Sequence, residues 1–268
     1  MSKSIGLISG SGKFPFFFAK AAKERGFYVS AIAIKGNTNP QLKRFVDSIR
    51  WFGIDEFKKI LLFLKDEDIN DVVMAGKINP SVLYQKNITR DAELKKMFLE
   101  IKDRRADSIF KAIADILTAS GLRLLDSTIF LKDFLAKKEF LTKDKPTEAM
   151  WEDIRFGFQI AKKIAGLDVG QTIVVKQKTI VAVEAMEGTD STIIRAGKIA
   201  NNGCVVVKVS KPNQDMRFDI PVVGLNTIRN LVKIRAACLA IEAEKTLLFD
   251  KDKCVNLAEK NGVVILAI

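Results

Sequence analysis

Three stretches in the second half of the chain concentrate acidic and basic side chains. They are residues 184–190 (EAMEGTD), 208–212 (KVSKP) and 214–224 (QDMRFDIPVVG). Phosphoryl transfer requires acidic ligands for Mg²⁺, a carboxylate that activates water, and cations that hold phosphate oxygens. Most surface Asp and Lys side chains are only solvated, and an aspartate can simply cap a turn. The density of charge between residues 208 and 221 nevertheless favours a phosphoryl-transfer site.

A glycine-rich segment near the start of the chain offers a second place for an anion. Residues 6–13 (GLISGSGK) lie between a predicted strand and a predicted helix, where backbone N–H groups attract phosphate. The dinucleotide fingerprint GxGxxG fails because Pro15 stands in place of its third glycine. The Walker sequence fails because Leu7 stands in place of its first glycine. Two interpretations stay open: an ordinary tight turn, or an anion or ribose site of another family.

The chain contains no histidine among its 268 residues. This excludes Ser-His-Asp and Cys-His mechanisms and the metallophosphoesterases that bind metal through His and Asp. Oxygen ligands remain, and they favour Mg²⁺ or Mn²⁺ over Zn²⁺. The three cysteines, Cys204, Cys238 and Cys254, are odd in number and form no CxxC pair. We therefore predict reduced, buried thiols in a cytosolic protein.

The composition is that of a folded and basic protein. Hydrophobic residues make up 48% of the chain, charged residues 28%, and the formal net charge is +12. Such an excess favours anionic partners: nucleic acid, phosphorylated metabolites or an anionic membrane surface. The aromatic residues, 18 Phe against 2 Tyr and 2 Trp, lie in apolar runs, which argues against a nucleic-acid surface. Neither a spanning segment nor a signal peptide is evident, so we expect a cytoplasmic protein.

The predicted elements indicate an α/β protein with two domains. The first half alternates strands with helices, which favours a parallel sheet. We predict an N-terminal Rossmann-like domain over residues 1–136, a charged linker over 137–146 and a C-terminal α/β domain of mixed sheet over 147–268. Within the second domain, Thr147 is the predicted N-cap of a helix, and residues 218–223 are predicted as a strand.

At these residues the chain resembles a known family, the LpxI-type UDP-2,3-diacylglucosamine pyrophosphatases of lipid A biosynthesis. The resemblance extends over nearly the whole chain. Its motifs are GLISGSGxxP at 6–15, MAGK at 74–77, GQ at 170–171, VEAMEGTD at 183–190 and KVSKPNQDMRFDIPVVG at 208–224. The last two motifs are the specific ones, since the glycine loop alone would not suffice.

The resemblance implies a homodimer and a phosphoanhydride hydrolase that depends on Mg²⁺ (or Mn²⁺). The reaction it implies splits UDP-2,3-diacylglucosamine into UMP and 2,3-diacylglucosamine 1-phosphate (lipid X), with water attacking the α-phosphorus. The partner that the resemblance implies is an amphiphilic UDP-sugar lipid, which is the substrate. We expect no nucleic-acid partner. Such a substrate suits a basic protein that makes peripheral contact with the cytoplasmic face of the inner membrane.

The site residues follow from the motifs that carry the resemblance. One aspartate of the C-terminal domain is implied to be essential, and the candidates for catalysis and metal binding are Asp219 and Asp215. Further predicted metal ligands are Asp190, Glu187 and Glu184. The residues predicted to hold phosphate oxygens are Lys208, Lys211 and Arg217. Other predicted substrate-binding residues are Gly10, Ser11, Gly12, Gly76, Lys77, Gln171, Thr189 and Gln214.

Three alternatives remain. A hydrolase of another nucleoside-diphosphate sugar would act on unacylated UDP-sugars, which product analysis can distinguish. A basic nucleic-acid-binding module would bind DNA or RNA with a steep dependence on salt. A scaffold protein is the third alternative, against which the clustered carboxylates and cations count.

Overall fold

The computed structural model describes residues 3–78 and 91–268 of the chain. Tertiary contacts divide the chain into two compact units. Unit 1 comprises Met1–Lys132 together with Asp215–Asp219, and unit 2 comprises Asp133–Gln214 and Ile220–Ile268. Five residues of the charged stretch 214–224 therefore pack with the first half of the chain.

Unit 1 is built on a five-stranded parallel sheet. Its strands are β1 (Ser4–Ser9), β2 (Tyr28–Ile34), β3 (Ser48–Phe52), β4 (Asp71–Ala75) and β5 (Arg123–Leu124). Their spatial order is β3-β2-β1-β4-β5, with each neighbouring pair parallel. The chain order reverses on either side of β1, and in such sheets the crevice at the carboxyl ends of the strands at this point is where ligands bind.

The helices of unit 1 bury their apolar faces on this sheet. They are α1 (Phe14–Glu24), α2 (Phe57–Asp66), α3 (Ala92–Glu100) and α4 (Ala106–Ala119). Pro15 lies in the first turn of α1, where its missing N–H leaves no helical bond unmade. The carboxylate of Asp91 caps α3 by accepting from the N–H groups of Glu93 and Leu94. The helices predicted in the first half are confirmed, whereas the two-residue strand β5 was not predicted.

Unit 2 contains a six-stranded mixed sheet and a two-stranded one. The strands of the larger sheet are β6 (Glu139–Phe140), β7 (Thr172–Lys176), β8 (Thr179–Val183), β9 (Val205–Lys208), β11 (Cys238–Ile241) and β13 (Val264–Ala267). Their order is β6-β13-β11-β9-β7-β8; β9, β11 and β13 are parallel, while β6, β7 and β8 pair in antiparallel fashion. The smaller sheet pairs β10 (Val222–Val223) with β12 (Leu247–Leu248). The helices are α5 (Glu148–Gly166), α6 (Thr189–Ala200), α7 (Leu225–Lys233) and α8 (Lys251–Glu259).

The predicted fold class, an α/β chain with a parallel and a mixed sheet, is confirmed. Thr147 is the N-cap of α5, since its hydroxyl oxygen accepts from the N–H of Met150 at 3.3 Å. The strand predicted over residues 218–223 is wrong for its first four residues: only Val222–Val223 is a strand, and Phe218 packs in the core of unit 1. Within the residues predicted as a linker, Glu139–Phe140 forms a strand that pairs with β13. The division into domains stays a prediction.

Two further expectations concern the cysteines and the membrane. All three cysteines are buried and free of disulfides, as predicted. Burial raises the pKa of the Cys238 thiol to about 12. Across residues 3–78 and 91–268, no helix is both long and apolar enough to cross a membrane.

Candidate functional site

Two glycine turns bond to each other at the carboxyl ends of β1 and β4. The N–H of Gly10 donates to the carbonyl of Ala75 at 2.8 Å, and the N–H of Ser11 donates to the carbonyl of Lys77 at 2.7 Å. A Cβ at Gly10 would lie 2.5 Å from the Lys77 carbonyl oxygen, and one at Gly76 would lie 2.6 Å from the Ser11 carbonyl oxygen. Only glycine fits at either position. The segment therefore forms a tight turn, and its role as an anion or ribose site stays a prediction; an anion here would need donors other than the N–H groups of Gly10 and Ser11.

The segment 215–219 is attached to the same edge of the sheet in unit 1. The hydroxyl of Ser127 lies 2.6 Å from the Arg217 carbonyl oxygen and 2.7 Å from the Met74 carbonyl oxygen at the end of β4. The ring of Phe218 is 6% exposed and stacks on Phe110 of α4, with 5.3 Å between centroids. Polar and apolar contacts thus hold this segment beside the Gly10–Gly12 and Gly76–Lys77 turns.

Asp215 and Arg217 form a close ion pair within this segment. The guanidinium donates from Nε and Nη2 to both carboxylate oxygens, at distances of 2.6–3.1 Å. Hydrogen bonding from Arg217 lowers the pKa of Asp215 below its usual value, so this carboxylate stays ionised and is a weak base. Asp219 is exposed and has a φ of +53°, in the left-handed region. Of the two aspartates, Asp219 is the more accessible to solvent.

A buried cluster lies in unit 2 where β9 ends and β7 begins. The ammonium of Lys208 donates to the hydroxyls of Thr189 at 2.8 Å and Thr172 at 3.3 Å, and lies 4.0 Å from the carboxylate of Glu184. The Thr189 hydroxyl in turn donates to Glu184 at 2.9 Å. The Lys208 side chain is only 6% exposed. A buried ammonium needs such partners because its desolvation is costly.

Lys211 is also buried and paired. Its Nζ lies 2.6 Å from the carboxylate of Asp168, and each side chain is 7% exposed. Its N–H donates to Oε1 of Gln214 at 3.2 Å. Asp168 was not predicted as a site residue; it has a φ of +58°, in a region that is strained for a residue with a side chain.

The remaining predicted acidic residues of unit 2 have other partners. Glu187 accepts from the guanidinium of Arg195 at 2.7 Å, and Asp190 accepts from the amide of Asn226 at 2.6 Å. Arg195 and Asn226 hold these two carboxylates in separate interactions.

No three carboxylate, thiol or imidazole side chains come together as a metal-binding group anywhere in the described part of the chain. Asp215 and Asp219 belong to unit 1, whereas Glu184, Glu187 and Asp190 belong to unit 2. Mg²⁺ usually takes one or two carboxylates and completes its shell with water and substrate phosphates. Carboxylate oxygens are the kind of ligand that Mg²⁺ takes; the metal and its ligands stay a prediction.

The other predicted substrate-binding residues also divide between the units. Gly12 and Lys77 are exposed in the glycine turns of unit 1. Gln171 is buried in unit 2, and its N–H lies 3.4 Å from the carboxylate of Glu184. Their role in substrate binding stays a prediction.

Sequence reasoning missed a group around the buried Ser210, formed with the partly buried Lys162 of α5 and Glu242. Lys162 lies 48 residues from Ser210 in sequence and Glu242 lies 32 residues from it, so no local motif joins them. One signal could have found Glu242: it directly follows the buried strand β11, and strand ends in parallel sheets carry site residues.

Comparison with known proteins covers nearly the whole chain. Residues 4–134 match the LpxI N-terminal domain, and residues 137–266 match the LpxI C-terminal domain. The UDP-2,3-diacylglucosamine pyrophosphatase LpxI of Caulobacter vibrioides is 25% identical over 275 aligned positions, covering 99% of this chain and 98% of that protein.

Solved structures show weaker likenesses. A UDP-glucose-4-epimerase from Stenotrophomonas maltophila with bound NAD is 10% identical, with a TM-score of 0.30, covering 46% of this chain and 35% of that one. The biotin carboxylase subunit of a pyruvate carboxylase is 12% identical, with a TM-score of 0.28, covering 75% of this chain and 42% of that one. These scores are too low to carry an argument about fold or function. Since its two halves match the two domains of one family in order, the chain belongs to the LpxI family.

Proposed function

We propose that this chain hydrolyses the diphosphate of UDP-2,3-diacylglucosamine to UMP and 2,3-diacylglucosamine 1-phosphate, a step in lipid A biosynthesis. The observation that carries the proposal is the end-to-end match to a curated relative of that name. The arrangement of the charged residues supports it, because Lys208 and Lys211 lie at the carboxyl end of β9 in unit 2, and Ser127 holds the segment 215–219 at the carboxyl end of β4 in unit 1.

The proposed reaction is a water attack on the α-phosphorus. The water oxygen forms a bond to that phosphorus, and the bond from the phosphorus to the bridging oxygen breaks. The bridging oxygen leaves with the acylated sugar phosphate, and the water gives up its proton to a carboxylate. Lys208, Lys211 and Arg217 are proposed to hold the phosphate oxygens as negative charge shifts to the leaving group.

Asp219 is proposed as the carboxylate that receives the proton. Asp215 is the weaker candidate because both of its oxygens bond to Arg217, which lowers its pKa. We assign Asp215 the task of orienting the Arg217 guanidinium. Asp219 is exposed and its left-handed backbone turns the chain at that point.

A divalent cation, Mg²⁺ or Mn²⁺, is proposed as cofactor. When bound it would neutralise phosphate oxygens and lower the pKa of a water molecule. Asp219 would hold it together with substrate oxygens; further candidate ligands are Asp215, Glu184, Glu187 and Asp190. Asp219 is our first choice because it is exposed, whereas Asp215 is tied to Arg217 and Glu184 is buried.

The natural setting of the reaction is proposed to be the cytoplasmic face of the inner membrane, with the enzyme as a homodimer. The net charge of +12 supports binding to an anionic lipid surface. Co-sedimentation with vesicles containing anionic lipid, and light scattering in solution, test these two points.

The proposed function is tested by incubating the chain with UDP-2,3-diacylglucosamine and Mg²⁺ and scoring UMP and the acylated sugar phosphate. In ¹⁸O-labelled water the label should appear in UMP, because the α-phosphorus is attacked. EDTA should stop turnover, and added Mg²⁺ should restore it.

Asp219→Ala should lower kcat by at least about 1000-fold. A general base typically contributes about 10²–10⁴-fold to the rate, and the expected loss lies within this range. Asp215→Ala should cost less. Near wild-type turnover by the Asp219→Ala chain would contradict the assignment.

A further inference from the structure

Ser210 lies between the end of β9 and Lys211, and an ion pair holds every polar group of this serine. Its N–H and its hydroxyl donate to the same carboxylate oxygen of Glu242, at 2.7 and 2.9 Å. Its carbonyl oxygen accepts from the ammonium of Lys162 at 2.9 Å. That ammonium also lies 3.0 Å from each Glu242 oxygen. We call Lys162, Ser210 and Glu242 the Ser210 clamp.

The Ser210 clamp joins three separate elements of unit 2. Lys162 comes from α5, Ser210 follows β9, and Glu242 follows β11, the neighbour of β9 in the sheet. The Ser210 residue is 1% exposed, and the side chains of Lys162 and Glu242 are 25% and 16% exposed. The attraction between the two charges itself adds little to stability, because the cost of desolvating them offsets most of it; what the pair contributes is the set of hydrogen bonds to Ser210.

The position of the clamp gives the ion pair a use other than stability. The residue after Ser210 is Lys211, whose ammonium is held by Asp168 and whose N–H is held by Gln214. The clamp therefore fixes the backbone directly before Lys211, and Asp168 holds the ammonium of that lysine in place.

We propose that the Ser210 clamp is a positioning device for the hydrolysis, with Glu242 and Lys162 acting as positioning residues. It holds the Ser210 peptide so that Lys211 and the loop after it meet the phosphate oxygens in the reactive geometry. The inference rests on the proposed function, in which Lys211 binds a phosphate oxygen. Displacement of a positioning group by about 1 Å can cost about 100-fold in rate.

The test replaces both charged members of the clamp at once. The double variant Lys162→Met/Glu242→Met keeps side chains of similar length and leaves no unpaired buried charge. We expect the chain to fold with a lowered thermal unfolding midpoint, as in the control below, because the buried N–H and carbonyl of Ser210 lose these partners. We expect kcat for UDP-2,3-diacylglucosamine to fall by about tenfold to 100-fold, with KM changed by less than about threefold.

Asp153 provides a matched control in the same unit. This α5 carboxylate is also buried, and it accepts from the N–H groups of Gln177 and Lys178 in the turn between β7 and β8. That turn lies at the opposite end of the sheet from Ser210, as the pairing of Val175 with Val205 shows. Asp153→Asn should lower the unfolding midpoint and leave kcat within about twofold of the wild type.

The outcomes separate the clamp from the proposed function. A double variant that is folded and has wild-type kcat would overturn the positioning role alone. Equal losses of kcat in the double variant and in Asp153→Asn would also overturn it, since the effect would then be general. A wild-type chain that releases no UMP would overturn the proposed function and the clamp with it. If the double variant does not fold, Glu242→Gln is judged by the same readouts and the same limits.

Discussion

Phe218 should stabilise unit 1 even though it lies in the second half of the sequence. The ring is 6% exposed and belongs to the same apolar core as residues of α2 and α4. Replacing it with alanine removes this contact and leaves a cavity. We expect Phe218→Ala to lower the free energy of unfolding of unit 1 by about 3–5 kcal/mol, the usual range for a buried Phe.

The stacking of Phe218 on Phe110 gives a second measure of the same contact. Their centroids lie 5.3 Å apart with an interplanar angle of 22°. A double-mutant cycle with Phe110→Ala should give a coupling energy of about 0.5–1.5 kcal/mol, because aromatic pairs contribute this much beyond their buried area.

The two tryptophans allow the units to be followed separately. Trp51 lies in β3 of unit 1 and Trp151 in α5 of unit 2, and the chain has no other tryptophan. In a Trp151→Phe background, fluorescence during urea unfolding reports unit 1. In a Trp51→Phe background, it reports unit 2. Phe218→Ala should shift the first transition by the amount given above.

Two results would refute this reasoning. The first is a Phe218→Ala chain whose unit 1 transition moves by less than about 1 kcal/mol, which is too small for a core phenylalanine. The second is a coupling energy of zero with Phe110→Ala. Either would mean that the segment 215–219 does not pack on α4, and the attachment of Arg217 and Asp219 to this sheet edge would lose its main support.

Three more predictions concern backbone, charge and thiols. Gly10→Ala places a Cβ 2.5 Å from the Lys77 carbonyl oxygen and should destabilise unit 1 more than Gly12→Ala does. At Gly12 a Cβ would meet open space, so the substitution should cost only about 1–2 kcal/mol for its φ of +90°. Urea unfolding with Trp fluorescence compares the two variants, and equal losses of stability would contradict the close contact at Gly10. Arg217→Met should raise the pKa of Asp215, because the hydrogen bonds that lower it are lost. In the wild type, the stability that this pair contributes should be complete above the usual pKa of 3.8 and should be lost as the pH falls through the lowered pKa. A carboxyl ¹³C titration of both chains checks this, and identical midpoints would contradict it. Iodoacetamide at pH 8 should modify none of the three cysteines in the native chain and all three in urea, because they are buried and free. The raised pKa of Cys238, about 12, further protects this thiol. Mass spectrometry shows the labelling, and a label on the native chain would contradict the burial of the thiols.

Most secondary structure could be predicted because it depends on local patterns. The hairpin of β7 and β8 is an example: Gln177 and Lys178 form its turn with φ of +52° and +55°, between two β-branched runs. The strand predicted at residues 218–223 failed because an apolar run shows that residues are buried but not what they pack on. Phe218 is buried in unit 1 and Val223 in unit 2, so one short run serves two cores.

The residue types of the site could also be predicted, but not their partners. The motifs named Lys208 and Lys211 as cations, and the structure pairs them with Glu184 and Asp168. Nothing in the sequence near Lys211 singles out Asp168, which lies 43 positions away in the turn after α5. Partners at this separation depend on the arrangement of strands in the sheet, which local spacing does not determine.

The two units differ in how firmly they hold the cations that we assign to the phosphates. In unit 2, Lys208 and Lys211 are 6% and 7% exposed, and each has a carboxylate partner. In unit 1, Arg217 also has a carboxylate partner, Asp215, but it is 39% exposed, so water and salt screen its charge. Charges already oriented by the protein stabilise a transition state most, because they need no reorganisation during the reaction. We therefore expect the buried lysines of unit 2 to contribute more to catalysis than Arg217, whose contribution should be the more sensitive to ionic strength.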